Sequence, residues 1–235
     1  MPTAVISGAN RGLGLELTRQ YLDDGWHVYA INRSSSDAMR ELEKTGRLVM
    51  IEADLTNDDS LKAAISQIDV TTVNLLVNNA GMMGDGSFAE IGFEFQTFGT
   101  FNREEWHRIF DINVCTPMAV TELLVGKLEA ADHGCVVTLS SELGSNHHNT
   151  MGNFYPYRAS KAAVNSMMKS MGVNLKDRGI IAVAIQPGWV RTDMGGPKGK
   201  LEATDSIRSV RETVARLSLQ DNGKLFNYDG EEAPY

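Results

Sequence analysis

The chain has 235 residues, 42% of them hydrophobic, enough for one large α/β domain with a substantial core and too apolar for a disordered chain. A formal charge of -8 with no lysine- or arginine-rich block argues against nucleic acid as a partner, because no surface would neutralise phosphates. Cys115 and Cys135 have no metal-ligand spacing and make no disulfide framework, the N-terminus enters a strand at once, and no apolar run approaches the ~20 residues a bilayer requires, so the expected setting is a reducing cytoplasm, away from membranes.

Short β-rich runs alternate with longer helical patterns. Strands are predicted at 3–7, 27–32, 48–53, 74–78, 135–140 and 180–185, with a last candidate at 224–228. They are mostly apolar on both faces, as expected of strands buried between two helix layers. Helices are predicted near 12–23, 37–44, 58–68, 103–129, 157–176 and 205–218, with Asn102 and Thr204 as N-caps. This alternation implies a parallel, doubly wound α/β sheet in a single domain over 1–235, with no repeat or linker. Three connections, 79–102, 141–154 and 186–204, are longer than the fold needs, and all follow strands. They should gather at the carboxyl edge of the sheet, where open α/β sheets bind ligands.

The first strand runs into Ser7-Gly8-Ala9-Asn10-Arg11-Gly12-Leu13-Gly14. Glycines at this spacing permit a tight turn, let backbone N–H groups approach a pyrophosphate, and open a helix whose dipole favours an anion. The second strand ends at Asn32-Arg33, where an NAD-preferring enzyme presents an acid to the ribose 2′-hydroxyl, and no acid occurs before Asp37. Singly, Arg11 and Arg33 read equally well as solvated charges. Together, with the acid missing, they favour a 2′-phosphate and hence NADP(H) over NAD.

With that turn, Asn78-Asn79-Ala80-Gly81 and Tyr157-x-x-x-Lys161 in this order, the chain resembles the short-chain dehydrogenase/reductases over nearly its whole length. Pro187-Gly188-Trp189-Val190-Arg191-Thr192-Asp193-Met194 is similar to the family's segment after the sixth strand. The stretches 139–145, 155–163, 187–196 and 226–235 look most like the C-factor and Sniffer-type carbonyl reductases. The resemblance implies a Rossmann-type, mostly parallel sheet of seven strands with helices on both faces. It also implies a catalytic set of Asn113, Ser141, Tyr157 and Lys161. The cofactor contacts it implies are Gly8, Asn10, Arg11, Gly12, Leu13 and Gly14 in the turn, and Asp54 and Leu55 near the adenine, beside Asn32 and Arg33, read above from the end of the second strand. They continue with Asn79, Ala80 and Gly81 near its ribose, then Tyr157, Lys161, Pro187, Gly188, Val190 and Thr192. Sixteen positions separate Ser141 from Tyr157, about three more than in many members, which keeps Ser140 open as an alternative serine. The family usually pairs through the helices carrying the Asn113 and Tyr157 segments, so a homodimer or homotetramer is expected.

Tyr157 and Lys161 are four apart and share a helix face, whereas Tyr155 has no such partner and belongs at the mouth of the site. A free phenol titrates near 10, and a neighbouring ammonium with an oxidised, positively charged nicotinamide should lower it. The expected reaction is therefore NADPH-dependent reduction of a small apolar carbonyl compound. Tyr157 is the proton donor, Ser141 binds the oxygen, Lys161 holds the nicotinamide ribose, and Asn113 anchors a water that relays protons to Lys161. Met82, Met83, Leu143, Phe154, Trp189 and Met194 lie in or beside the long loops and suggest an apolar pocket. His147-His148 lacks a third ligand, so no metal is expected. A cofactor-binding signalling or redox-sensing protein without essential turnover stays open, because C-factor is associated with signalling. NAD-dependent alcohol oxidation is disfavoured by Arg11, Arg33 and the missing acid.

Overall fold

The computed structural model describes residues 1–85, 92–94 and 96–235. Strands β1 (Thr3–Ser7), β2 (His27–Asn32), β3 (Leu48–Glu52), β4 (Leu75–Asn78), β5 (Cys135–Leu139), β6 (Ile181–Gln186) and β7 (Leu225–Asn227) form one seven-stranded sheet. Its order is β3-β2-β1-β4-β5-β6-β7, and every neighbouring pair is parallel. This is a Rossmann-type doubly wound sheet, whose strand order reverses between β1 and β4 and so opens a crevice beyond their carboxyl ends.

Alternation along the strands supplies both cores. Val5, Leu76, Val136 and Ala182 face one helix layer, where Val120, Leu124, Val164 and Met168 meet them. Their neighbours Ala4, Ile6, Leu75, Val77, Val137 and Val183 face the other layer, with Leu17, Leu22, Met39, Ile207 and Val210. Because the side-chain period of a strand is two, near-continuous apolar strands bury both faces, as the composition of β1 and β6 requires.

The helices are α1 (Gly12–Asp23), α2 (Asp37–Glu43), α3 (Asp58–Ser66), α4 (Arg103–Phe110), α5 (Thr116–Glu129), α6 (Tyr155–Leu175) and α7 (Ala203–Val214). Asn102 caps α4 as predicted, its Oδ1 accepting from the N–H groups of Glu104 and Glu105 at 3.0 and 3.2 Å. Thr204 does not cap α7. That helix starts at Ala203 after an extended Glu202, and Thr204 lies in its first turn. Helix α6 also begins earlier than predicted, at Tyr155, because Pro156 occupies a position in the first turn where its missing N–H costs nothing. The segment predicted as one helix over 103–129 is interrupted by a π turn, Asp111–Cys115, between α4 and α5. This segment is long and apolar enough to cross a membrane, by length and composition. Ile109, Val120, Leu124 and Leu128 on it are buried within the fold. The three long connections follow β4, β5 and β6 as expected, and residues 86–91 and 95 of the first lie outside the described residues.

Candidate active site

The glycine turn closes against the end of β4. Gly8 has φ +67°, and a Cβ there would come within 2.9 Å of Ala80 Cα. At Gly14 a Cβ would collide with the Gly8 carbonyl oxygen and lie 2.5 Å from Asn79 Nδ2. The Ser7 hydroxyl accepts from the N–H groups of Asn79 and Ala80, both at 3.1 Å, while Asn79 Nδ2 donates to the carbonyls of Ser7 and Gly8 at 2.9 and 2.8 Å. Buried Asn32 turns its amide oxygen to the N–H of Ala9, so it shapes the turn from inside. The N-cap of α1, Arg11, makes no side-chain capping bond to the helix and leaves its first N–H groups open to a ligand. Asn10, Arg11, Gly12 and Leu13 form the outer lip, and Thr192 from the loop after β6 faces Gly12 at about the van der Waals distance, 3.7 Å from where a Cβ would sit.

The two arginines differ. Arg11 Nη1 is 3.0 Å from Asp193 Oδ2, in an exposed pair spanning the crevice. Arg33 is exposed at the end of β2 and has no ion pair among the described residues. It lies close enough to Asp54 to help lower that carboxyl's pKa, after the hydroxyl and N–H of Thr56, which donate to it at 2.7 and 3.0 Å. Leu55 is buried, its carbonyl accepting from Thr116 Oγ1 at 3.1 Å. Pro187 is buried, Gly188 takes φ +83°, and Val190 is buried beneath the same loop.

Tyr157 and Lys161 emerge from one face of α6. Both are 6% exposed, and Lys161 Nζ lies 5.7 Å from the centre of the Tyr157 ring while donating to the Leu139 carbonyl at 2.7 Å. Ser141 lies near enough to the Tyr157 hydroxyl to pull its pKa down, and its own Oγ accepts from the Leu143 N–H at 3.1 Å. Ser140 points elsewhere, its hydroxyl donating to Asn165 Oδ1 at 2.6 Å. Asn113, buried in the π turn, accepts from the Met82 N–H and donates to the Met82 carbonyl, both at 2.9 Å. It also donates to Ser160 Oγ at 2.9 Å, which in turn donates to the Tyr157 carbonyl at 2.8 Å. Gly81 joins the crevice to this cluster: a Cβ there would lie 3.0 Å from Asn113 Oδ1 and 3.8 Å from Lys161 Nζ. The four residues predicted as a catalytic set thus converge beside the turn.

Burial pushes the Tyr157 phenol up to about 12, against the opposing pull of the Ser141 hydrogen bond. The lowering expected from the sequence is for a phenol beside both the ammonium and an oxidised nicotinamide. In the protein alone desolvation of the phenolate dominates, and the positive charge of an oxidised nicotinamide would act against it. Burial likewise lowers Lys161 to about 8.

Met83, Leu143 and Phe154 pack against Tyr157 as an apolar wall. Tyr155 is 43% exposed and lines a cleft of about 200 Å³ with Phe98, Phe101 and Trp106. Trp189 donates to the Gly195 carbonyl at 2.7 Å, and Met194 lies exposed. His147 and His148 are exposed, and no group of three His, Cys, Asp or Glu side chains converges among the described residues. Ser160, Arg158 and Asn165 do not stand out in the sequence. The signals available are adjacency to Lys161 for Ser160 and the same-face i,i+4 spacing from Lys161 for Asn165.

Residues 2–203 match the short chain dehydrogenase family model. The chain belongs to that family. The C-signal protein of Myxococcus xanthus is 34% identical over 175 residues, 74% of this chain and 100% of that one. The carbonyl reductase Sniffer of D. melanogaster superposes with a TM-score of 0.90 at 28% identity, with 100% of both chains covered. An NADPH-bound carbonyl reductase from chicken fatty liver superposes with a TM-score of 0.89 at 25% identity, covering 100% of this chain and 99% of that one.

Proposed function

We propose that this short-chain dehydrogenase is an NADPH-dependent carbonyl reductase acting on small apolar aldehydes, ketones or quinones. The observation that carries the reading is the buried Tyr157 with Lys161 Nζ 5.7 Å from its ring centre and Ser141 nearby, at the carboxyl edge next to the glycine turn. Similarity to an NADPH-bound carbonyl reductase and to Sniffer supports it.

The residues present fit the dinucleotide. A turn into which no Cβ can be placed at Gly8 or Gly14, ahead of uncapped helical N–H groups, suits a pyrophosphate. Asn10, Gly12 and Leu13 would complete that cradle, Arg33 and Arg11 would meet the 2′-phosphate, and Asp54 and Leu55 the adenine. Asn79, Ala80 and Gly81 would line its ribose, with Pro187, Gly188, Val190 and Thr192 along the opposite wall and Lys161 toward the nicotinamide ribose. When bound, the reduced nicotinamide supplies hydride.

The protein's part is to orient the carbonyl and deliver a proton. Ser141 and Tyr157 donate to the carbonyl oxygen. With its pKa at about 12, Tyr157 keeps its proton at neutral pH until the oxygen becomes an alkoxide, a stronger base than a phenolate. Lys161, mostly an ammonium at pH 7, stabilises the phenolate left behind. Asn113 braces Met82 and, through Ser160, the first turn of α6, and it is the candidate anchor for a relaying water. The test is NADPH oxidation across a panel of aldehydes, ketones and quinones; no turnover on any of them would sink the reading. The likeness to C-signal supports a second reading, cofactor-dependent signalling without turnover, in which Tyr157→Phe would leave the output intact.

Because Asp193 already engages Arg11, Arg33 carries most of the 2′-phosphate selectivity. NADPH should bind more tightly than NADH, and Arg33→Asp should narrow the preference by at least about tenfold, the worth of a charge-assisted hydrogen bond. Equal dissociation constants for the two cofactors in fluorescence titrations of the unaltered protein would contradict this. Met118 on α5 lines a groove between α5 and α6, and Leu123 and Val173 are exposed apolar residues on the same two helices. Pairing of two copies through these helices would cover them, giving a homodimer or a homotetramer. Light scattering at micromolar concentration should report twice or four times the chain mass; the mass of one chain would refute the pairing.

A further inference from the structure

The connection from Ser141 to Tyr157 is held on α6 by three successive turns of that helix. Arg158, the residue after Tyr157, donates Nη1 to the Leu143 carbonyl at 3.2 Å and Nε to the Gly152 carbonyl at 3.1 Å. One guanidinium therefore ties together two points nine residues apart in the loop. One turn on, Lys161 packs so tightly beneath the loop that a Cβ at Gly144 would lie 2.7 Å from Lys161 Cβ. A turn further, Asn165 Nδ2 donates to the Gly144 carbonyl at 3.2 Å.

The loop's return into α6 is strained. Asn153 and Phe154 both take left-handed backbone conformations, φ 55° and 53°, which non-glycine residues adopt only where surrounding structure over-determines them. The Gly152 carbonyl bound by Arg158 sits immediately before that pair. Leu143 and Phe154, one at each end of the clamped segment, form the apolar wall against Tyr157. Burial lowers the Arg158 pKa while nearby Glu142 raises it, consistent with a guanidinium partly withdrawn from water to serve these carbonyls.

We propose that Arg158 is a positioning residue: by clamping Leu143 to Gly152 it fixes the loop as one wall of the substrate pocket and sets how well bulky apolar carbonyl compounds bind. The proposal rests on the carbonyl-reduction reading. It assigns Arg158 no contact with substrate, so its loss should act on substrate affinity for large groups and spare proton transfer.

Kinetics at saturating NADPH, with 2-naphthaldehyde as the bulky probe and propanal as the small one, test it. Arg158→Met should raise KM for 2-naphthaldehyde by about tenfold or more, the factor for one charge-assisted hydrogen bond, since it loses two. KM for propanal should move less than about threefold, and the naphthaldehyde kcat should stay within a similar factor, because Tyr157 stays held through Asn113 and Ser160 without Arg158. Arg158→Lys should fall between, as a single ammonium lacks the planar fork that reaches both carbonyls. Unchanged NADPH affinity in both variants establishes that the fold survives; if the Met variant does not fold, the Lys variant carries the comparison. Equal changes for the two aldehydes, or a loss confined to kcat, would overturn the proposal. An unaltered protein inert toward both aldehydes and the wider carbonyl panel would instead overturn the reading beneath it.

Discussion

Tyr157→Phe should lower carbonyl-reducing turnover by roughly 10²–10⁴-fold, the usual worth of general acid catalysis, and leave NADPH affinity nearly unchanged. The substitution removes one hydroxyl from a buried ring and keeps its volume against Met83, Leu143 and Phe154. The hydroxyl lost is the one that Ser141 neighbours. Tyr155→Phe is the control: its ring is exposed and packs toward Phe98 with centroids 6.4 Å apart, so turnover should stay within about tenfold, or ~1.4 kcal/mol. If Tyr155→Phe removed turnover and Tyr157→Phe spared it, the assignment of the donor would fail.

Lys161→Met should abolish most turnover, by at least about 10²-fold, because the charge beside the phenol goes. The same substitution should make the protein more stable. Burial lowers Lys161 from 10.5 to about 8, so the folded chain releases this proton more readily than the unfolded one. Below pH 8 both states are protonated, and the folded state bears the full cost of a buried ammonium. As pH rises from about 8 to 10.5 the unfolded state binds more protons, and stability rises until the cost is gone. At 1.36 kcal/mol per pKa unit the cost at pH 7 reaches about 3 kcal/mol, partly offset by the bond to the Leu139 carbonyl. Thermal unfolding at pH 7 should therefore shift up by several degrees in Lys161→Met, and the gain should shrink toward pH 10. A variant less stable than the parent at pH 7 would show that the ammonium is solvated well enough to carry no penalty. A residue that costs stability and confers turnover is what a functional site in an otherwise consistent fold should contain.

Much of the fold is legible in local pattern. Near-continuous apolar runs such as AVI in β1 and IAVAI in β6 can be buried on both faces only in a sheet covered twice, and the helical stretches between them leave parallel crossovers as the solution. The i,i+4 spacing by itself puts Tyr157 and Lys161 on one helix face, and the family resemblance supplies Asn113 and Ser141. What stays hidden depends on partners far away in sequence. Arg158 reads as an ordinary helix surface charge until the loop folds back onto it, and Asn165 as a surface amide until Ser140 and Gly144 meet it. The π turn around Asn113 leaves no periodic signature, since five residues are too few to shift a helical pattern. Sequence suggests Arg11 and Arg33 as equivalents, and only the fold brings Asp193 to one of them. The burial that raises the Tyr157 phenol is illegible for a related reason: the adjacent lysine is visible in the sequence, whereas the depth at which the ring sits is not.

The central claim is that this crevice and the Tyr157–Ser141 pair together carry out hydride transfer to a carbonyl carbon. NADPH deuterated at the nicotinamide C4 position, incubated with 2-naphthaldehyde and the unaltered protein, tests it by mass spectrometry of the alcohol. The account predicts one deuterium on the carbinol carbon from one face of the nicotinamide, and strongly slowed formation of that product by Tyr157→Phe. Alcohol that carries no deuterium from either C4 epimer of the cofactor, or forms equally fast without the Tyr157 hydroxyl, would contradict it.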